Sequence, residues 1–158
     1  REELGEETVL SVQSHHVELV PGGRMPSFVV EREEKYWSKG YLERVSEHAD
    51  EVVLPGVGSG MPGESLYGGF MVRQVTEAVT ALRGREDVAL RFGLPTYGEG
   101  DWAPEGGEES VVTALAAVRL GMTKAEVPEG MTLGVAFYLG DEARKEDVAA
   151  YTAGWLSS

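Results

Sequence analysis

Two histidines and a glutamate stand close together early in the chain, in VLSVQSHHVELVPGG (9–23). His15 and His16 are two of the three histidines present. On an extended strand alternate side chains share a face, so His16 and Glu18 point one way and His15 the other. A histidine beside a carboxylate suits general-base catalysis. With acidic residues from neighbouring loops, His15, His16 and Glu18 also form an N- and O-donor set for a divalent metal such as zinc. The plainer alternative is that one histidine packs between strand and helix while the other is solvated. The lack of a known zinc-ligand spacing favours that alternative.

A second set lies in TYGEGDW (96–102). Tyr97 and Trp102 suit stacking on a sugar or another flat ligand, and Glu99 and Asp101 are the polar partners. The catalytic reading joins Glu99 and Asp101 to His16 and Glu18. The competing reading is a glycine-rich loop whose Trp caps a rim. Arg91, inside the apolar run VALRFGLP, must find a partner or reach water. It binds an anionic substrate group or, more commonly, pairs with a neighbouring carboxylate. Ser59 in GVGSGMPGES lies three residues after Gly56, so it misses the G-x-S-x-G spacing of a serine nucleophile. The same loop lacks the Lys-Ser/Thr of a phosphate-binding loop.

The elements that position these residues alternate. Val9 to Val20 reads as a strand. Trp37, Tyr41, Leu42, Val45 and Ala49 then follow at helical spacing. DEVVLPGVGSG is a second short apolar run ending in glycines. In LYGGFMVRQVTEAVTALRG, the residues Met71, Val72, Val75, Val79 and Leu82 form one stripe, and Gly84 is a natural stop. DVALRFGLPTYGEG is a third strand, and EESVVTALAAVRLGM a helix with Val112, Leu115 and Val118 on one face. MTLGVAFYLG is a fourth strand, and DEARKEDVAAYTAGWL closes with Val148, Tyr151 and Trp155 inward. Four β-then-α units in succession imply an α/β fold with parallel strands and right-handed crossovers. An open doubly wound sheet and a stretch of (β/α)8 barrel compete, and no dinucleotide-binding glycine fingerprint follows the first strand.

Composition narrows the classes. The chain has 158 residues, of which 42% are hydrophobic, enough for a single domain with a real core. A net charge of -13 with scattered Lys and Arg argues against nucleic acid. There is no cysteine, hence no thiolate zinc site and no disulfide. No apolar run approaches the roughly 18 residues of a membrane span, so a soluble protein is expected. The opening REELGEE is neither a signal peptide nor an initiator start and reads as a trimmed terminus.

RFGLPTYGEGDWAPEGGEESVVTALAAVRLGM and PEGMTLGVAFYLGDEARKEDVAAYTAGWL together resemble the last two β/α units of a group of bacterial barrels. Those barrels are related to the family-18 glycoside hydrolases, the chitinase-like barrels. YWSKGYLERVSEHADEVVL and LSVQSHH are similar to the two preceding units, so the likeness runs over most of the chain as strands five to eight. The resemblance implies a sugar site at the C-terminal mouth of a barrel. It does not carry the family's chemistry. The fourth strand, with the general-acid Glu, would precede this chain. The Met-x-Tyr-Asp of the sixth strand is replaced by Pro55, Gly56, Val57 and Gly58. Where the family often has a Trp near its eighth strand, Tyr138 stands here.

A full barrel takes about 250 residues, so four units make half of one. Such a half exposes two edge strands and the apolar face that would fill the barrel, which invites closure by a homodimer. The expectation is a hydrolase-like site for a small molecule, a carbohydrate foremost, with Tyr97, Trp102, Arg91 and Tyr138 binding it. The alternatives are a catalytically inactive or engineered half-barrel scaffold, and a metal-dependent hydrolase built on His15, His16 and Glu18.

Overall fold

The computed structural model describes residues 8–19, 36–97, 109–138 and 140–157. The elements run β1 (Ser11–Gln13), β2 (His16–Val17), β3 (Tyr36–Trp37), α1 (Lys39–Ser46), β4 (Glu51–Leu54), α2 (Glu64–Ala81), β5 (Ala89–Leu94), α3 (Val111–Ala125), β6 (Leu133–Phe137) and α4 (Lys145–Tyr151). A 3-10 turn (Gly140–Glu142) precedes α4 and a π turn (Thr152–Leu156) follows it.

Four strands form one parallel sheet in the order β1-β4-β5-β6. These four strands lie side by side in the order they follow along the chain, with the β2–β3 pair, which falls between β1 and β4 in the chain, set apart. The helices pack in succession, α1 on α2, α2 on α3 and α3 on α4. The architecture is compatible with half of a (β/α)8 barrel.

The register explains the core. Val52 and Leu54, Leu90, Phe92 and Leu94, and Val135 are buried beneath the helices. They meet the α2 stripe of Met71, Val72, Val75, Val79 and Leu82 and the α3 residues Leu115 and Val118, all of them buried. Each such Leu or Phe contributes about 1.5–3 kcal/mol of transfer free energy. The α2–α3 contact is close because Gly121 has no side chain: an added Cβ would stand 2.5 Å from Val75 Cβ. Ser38 caps α1, its Oγ accepting from the Tyr41 N–H at 3.2 Å, and Ser110 does the same for α3 through the Thr113 N–H at 3.2 Å.

Four expectations need correction. The strand expected from Val9 to Val20 breaks after Gln13. Its second half, β2, leaves the sheet and pairs parallel with β3, His16 opposite Tyr36 and Val17 opposite Trp37. Trp37 therefore belongs to a strand, since Ser38 caps a helix that begins only at Lys39. Val112 and Val148 are exposed, at 63% and 46%, and neither reaches the core of the single chain. The fourth concerns the open face of the sheet, expected to be apolar. In register it carries Ser11, Gln13, Glu51, Val53, Ala89, Arg91, Gly93, Gly134 and Ala136, a polar and small-residue surface. Among the described residues no helix is long and apolar enough to cross a membrane.

Candidate functional site

Function in a β/α architecture gathers where strands run into helices, at the strands' C-terminal ends. At that end of β4 the chain turns sharply at Gly56. An added Cβ there would lie 1.8 Å from the carbonyl oxygen of Gly93 on β5, so no other residue fits without moving the strands apart. Gly58 and Gly60 follow with left-handed φ of 70° and 63°. Left-handed glycine makes backbone N–H groups converge and forms an anion-binding concavity.

The chain fills that concavity itself, with Glu109, the residue before the α3 cap. One carboxylate oxygen, Oε1, accepts from the Ser59 N–H at 2.7 Å and the Ser59 hydroxyl at 2.5 Å. The other, Oε2, accepts from the Gly58 N–H at 3.0 Å and from the Tyr97 hydroxyl. Two donors on each oxygen satisfy a carboxylate fully. Ser59 Oγ in turn accepts from the Met61 N–H at 3.2 Å. Beneath, the buried Tyr67 hydroxyl donates to the Gly56 carbonyl at 2.7 Å.

Burial pushes the Tyr97 phenol far above its ordinary range, with the neighbouring Glu109 charge and its hydrogen bond adding to the rise and Tyr138 contributing from its own side. Burial likewise raises Tyr67, with Glu109 and Tyr97 adding to it. Both tyrosines are therefore neutral donors, not phenolate bases. Ser59 is wholly buried and cannot attack a substrate. The cluster locks two rim loops together and holds the half-buried Tyr97; the exposed Tyr138 lies on the same rim, following β6 and donating its backbone N–H to the Leu94 carbonyl at 3.0 Å. Chemically the arrangement positions; it offers no nucleophile.

The other expected site residues lie elsewhere. His16 is buried, its ring edge-on to Phe70 of α2 at 5.0 Å and tilted against Tyr36 at 6.0 Å. His15 is exposed, with Trp37 at 6.0 Å, and Glu18 is half-buried. The two histidines thus divide as the plainer alternative has it, one packed between strand and helix and one in solvent. Among the described residues no three His, Asp or Glu side chains gather to hold a metal ion, so His15, His16 and Glu18 do not form a donor set. Successive strand residues point to opposite faces, which separates the two rings.

Arg91 lies on the open face toward the other end of the sheet and pairs with Glu51, which also accepts from Ser11 Oγ at 2.8 Å. Burial acts to raise the Glu51 carboxyl, but the hydrogen bonds from Arg91 and Ser11 and the Arg91 charge outweigh it and hold the group below the usual range. Glu99, Asp101 and Trp102 lie outside the described residues. Glu109 is the residue the sequence reading missed. The signal was GVGSG: closely spaced glycines that build an anion cradle ask which anion fills it. No known protein family, no curated protein and no solved structure matches this chain.

Proposed function

We propose that this chain forms one half of a β/α barrel, completed to eight strands by a second copy, whose C-terminal mouth binds a small polyhydroxylated molecule of carbohydrate type. The observation that supports the binding site is the locked Tyr97 on the same rim as the exposed Tyr138, at the C-terminal ends of the paired strands β5 and β6. An aromatic ring held in place presents a flat apolar face at low entropic cost, and the exposed Tyr138 pairs an aromatic ring with a hydroxyl that suits a ligand studded with hydroxyls. Hydrolysis is not part of the proposal. Glycoside cleavage needs two carboxyl groups flanking the bond, or a substrate group in place of one. The carboxylate at this cluster, Glu109, spends all its acceptor positions on the chain's own donors.

Calorimetric titration with a panel of linear oligosaccharides tests the reading. Binding by at least one, weakened tenfold or more in Tyr138→Ala, supports it. No heat from any member of the panel, under conditions where the protein is folded, overturns it in favour of an inactive scaffold. Light scattering tests the assembly: a single species of twice the chain mass is expected, and a stable monomer at micromolar concentration contradicts closure.

A further inference from the structure

We propose that the two copies meet edge to edge, the β1–α1 flank of one against the β6–α4 flank of the other. This deepens the half-barrel reading, on which it rests, by naming the surfaces that join.

Three observations carry it. First, among the described residues the two end units carry six of the nine exposed large apolar side chains. Val9, Leu10 and Tyr41 are 69%, 39% and 44% exposed on the first, and Tyr138, Val148 and Leu156 are 39%, 46% and 63% exposed on the last. The two central helices, which cover each other, leave Leu66, Val112 and Leu120 exposed. In a closed β/α ring each unit packs between two others, so the end units are the ones whose outer sides wait for a neighbour.

Second, the sheet's open face is not built for stacking on another sheet. It holds the Ser11–Glu51–Arg91 chain of hydrogen bonds. Below the guanidinium lies Gly134, where an added Cβ would stand 2.9 Å from Arg91 Nη1. Face-to-face association would bury these charges without an apolar core to offset their desolvation. Edgewise closure encloses the same pair inside the ring, so the apolar burial that favours it comes from the flanks and not from this face.

Third, the geometry closes with two copies. All four strands are parallel and sequential, with β1 at one edge and β6 at the other. A twofold axis along the sheet's strand direction keeps the second copy's strands parallel to the first and sets β6 of each copy beside β1 of the other. Two identical junctions then leave no edge, and the strand number reaches the eight of a closed β/α barrel. Each mouth residue then faces its counterpart across a shared rim.

The lack of cysteine in the native chain makes the test clean. Leu10 and Thr132 immediately precede β1 and β6, so they lie at the same end of the sheet, and both are exposed. Leu10→Cys and Thr132→Cys chains are purified separately, mixed, allowed to exchange subunits and treated with a short bis-maleimide. The expected product is the mixed pair, Leu10→Cys joined to Thr132→Cys, with little of either self-pair. A dominant self-pair, or no cross-link in a sample that light scattering shows to be dimeric, overturns the edgewise junction and leaves the dimer standing. A monomer overturns both. As a second measurement, Val148→Arg and Leu156→Arg should raise the dimer dissociation constant tenfold or more, with Leu120→Arg close to the native value. Equal effects of all three would place the contact elsewhere. Oligosaccharide binding is read separately by calorimetry, so failure of the junction and failure of the ligand reading are distinguished.

Discussion

Glu109 is the acceptor for both donors of the buried Ser59, and this decides what its removal costs. In Glu109→Ala the buried Ser59 N–H and hydroxyl lose this acceptor, while the Gly58 N–H keeps the Tyr97 hydroxyl oxygen at 3.2 Å. Unsatisfied buried donors cost about 1–3 kcal/mol each and do not add fully, so urea unfolding should show a loss of about 2–4 kcal/mol. A loss under about 0.5 kcal/mol, the range of an ordinary surface change, would mean the cluster does not hold the loops. The tyrosines give a pH signature. Their folded pKa values lie above the unfolded value of 10.0, so their contribution is intact below that pH and is lost as pH rises above it, where the unfolded chain ionises and the folded one does not. Tyrosinate absorbance should show two of the six tyrosines ionising only as the protein unfolds in alkali. In Tyr67→Phe one of these late phenols should disappear; six phenols titrating together in the folded native protein would contradict the buried cluster. Little of this could be read from residue spacing. Glu109 is one acidic residue in the run EGGEES, and no interval marks it out; only the fold brings it fifty positions back to Ser59. Arg91 was more legible, because a charge within an apolar strand must be paired, and Glu51 is one strand away.

At the scale of elements, the break between β1 and β2 depends on one side chain of α2. The wholly buried Gln74 accepts from the Val17 N–H with Oε1 at 2.7 Å and donates to the Val17 carbonyl through Nε2 at 2.9 Å. It supplies the hydrogen bonds that a neighbouring strand would otherwise make. In Gln74→Leu these two backbone groups lose their partner, and the expected cost is about 2–4 kcal/mol. Hydrogen exchange locates it: Val17 should lose protection while Leu90 and Phe92 in β5 keep theirs. Uniform loss of protection would mean that β2 is not a separately held element. The helices were legible because their stripes follow the helical period and Ser110 and Gly84 stand where caps and stops belong. The break in the first strand was not, since VLSVQSHHVELV reads as a strand across the very point where it leaves the sheet. A polar residue in the middle of a helix stripe, Gln74 among Met71, Val75 and Ala78, was the one hint that a backbone would come to meet it.

At the scale of the whole molecule, the alternation of strands and helices carried the α/β class, while the apolar open face inferred from it did not hold, because that face carries a charge pair, other polar groups and small residues with Val53 as its one large hydrocarbon among the described residues. That difference alters how association should respond to salt. Each chain carries a formal charge of -13, so in the proposed dimer two copies would repel over long range while the proposed flanks would contribute short-range apolar burial. Raising ionic strength from about 0.01 to about 0.15 M shortens the Debye length from ~30 to ~8 Å and removes most of the repulsion between exposed charges. Burial of Val148, Leu156, Leu10 and Tyr41 in the proposed dimer would not be weakened by the same change. The dimer should therefore tighten as salt is added, by several-fold or more, as read by sedimentation equilibrium across that range. An interface held by opposite charges would loosen instead, since its attraction is what the salt screens. Dissociation on adding salt would place the contact on charged surface and exclude the apolar flanks as the junction between copies.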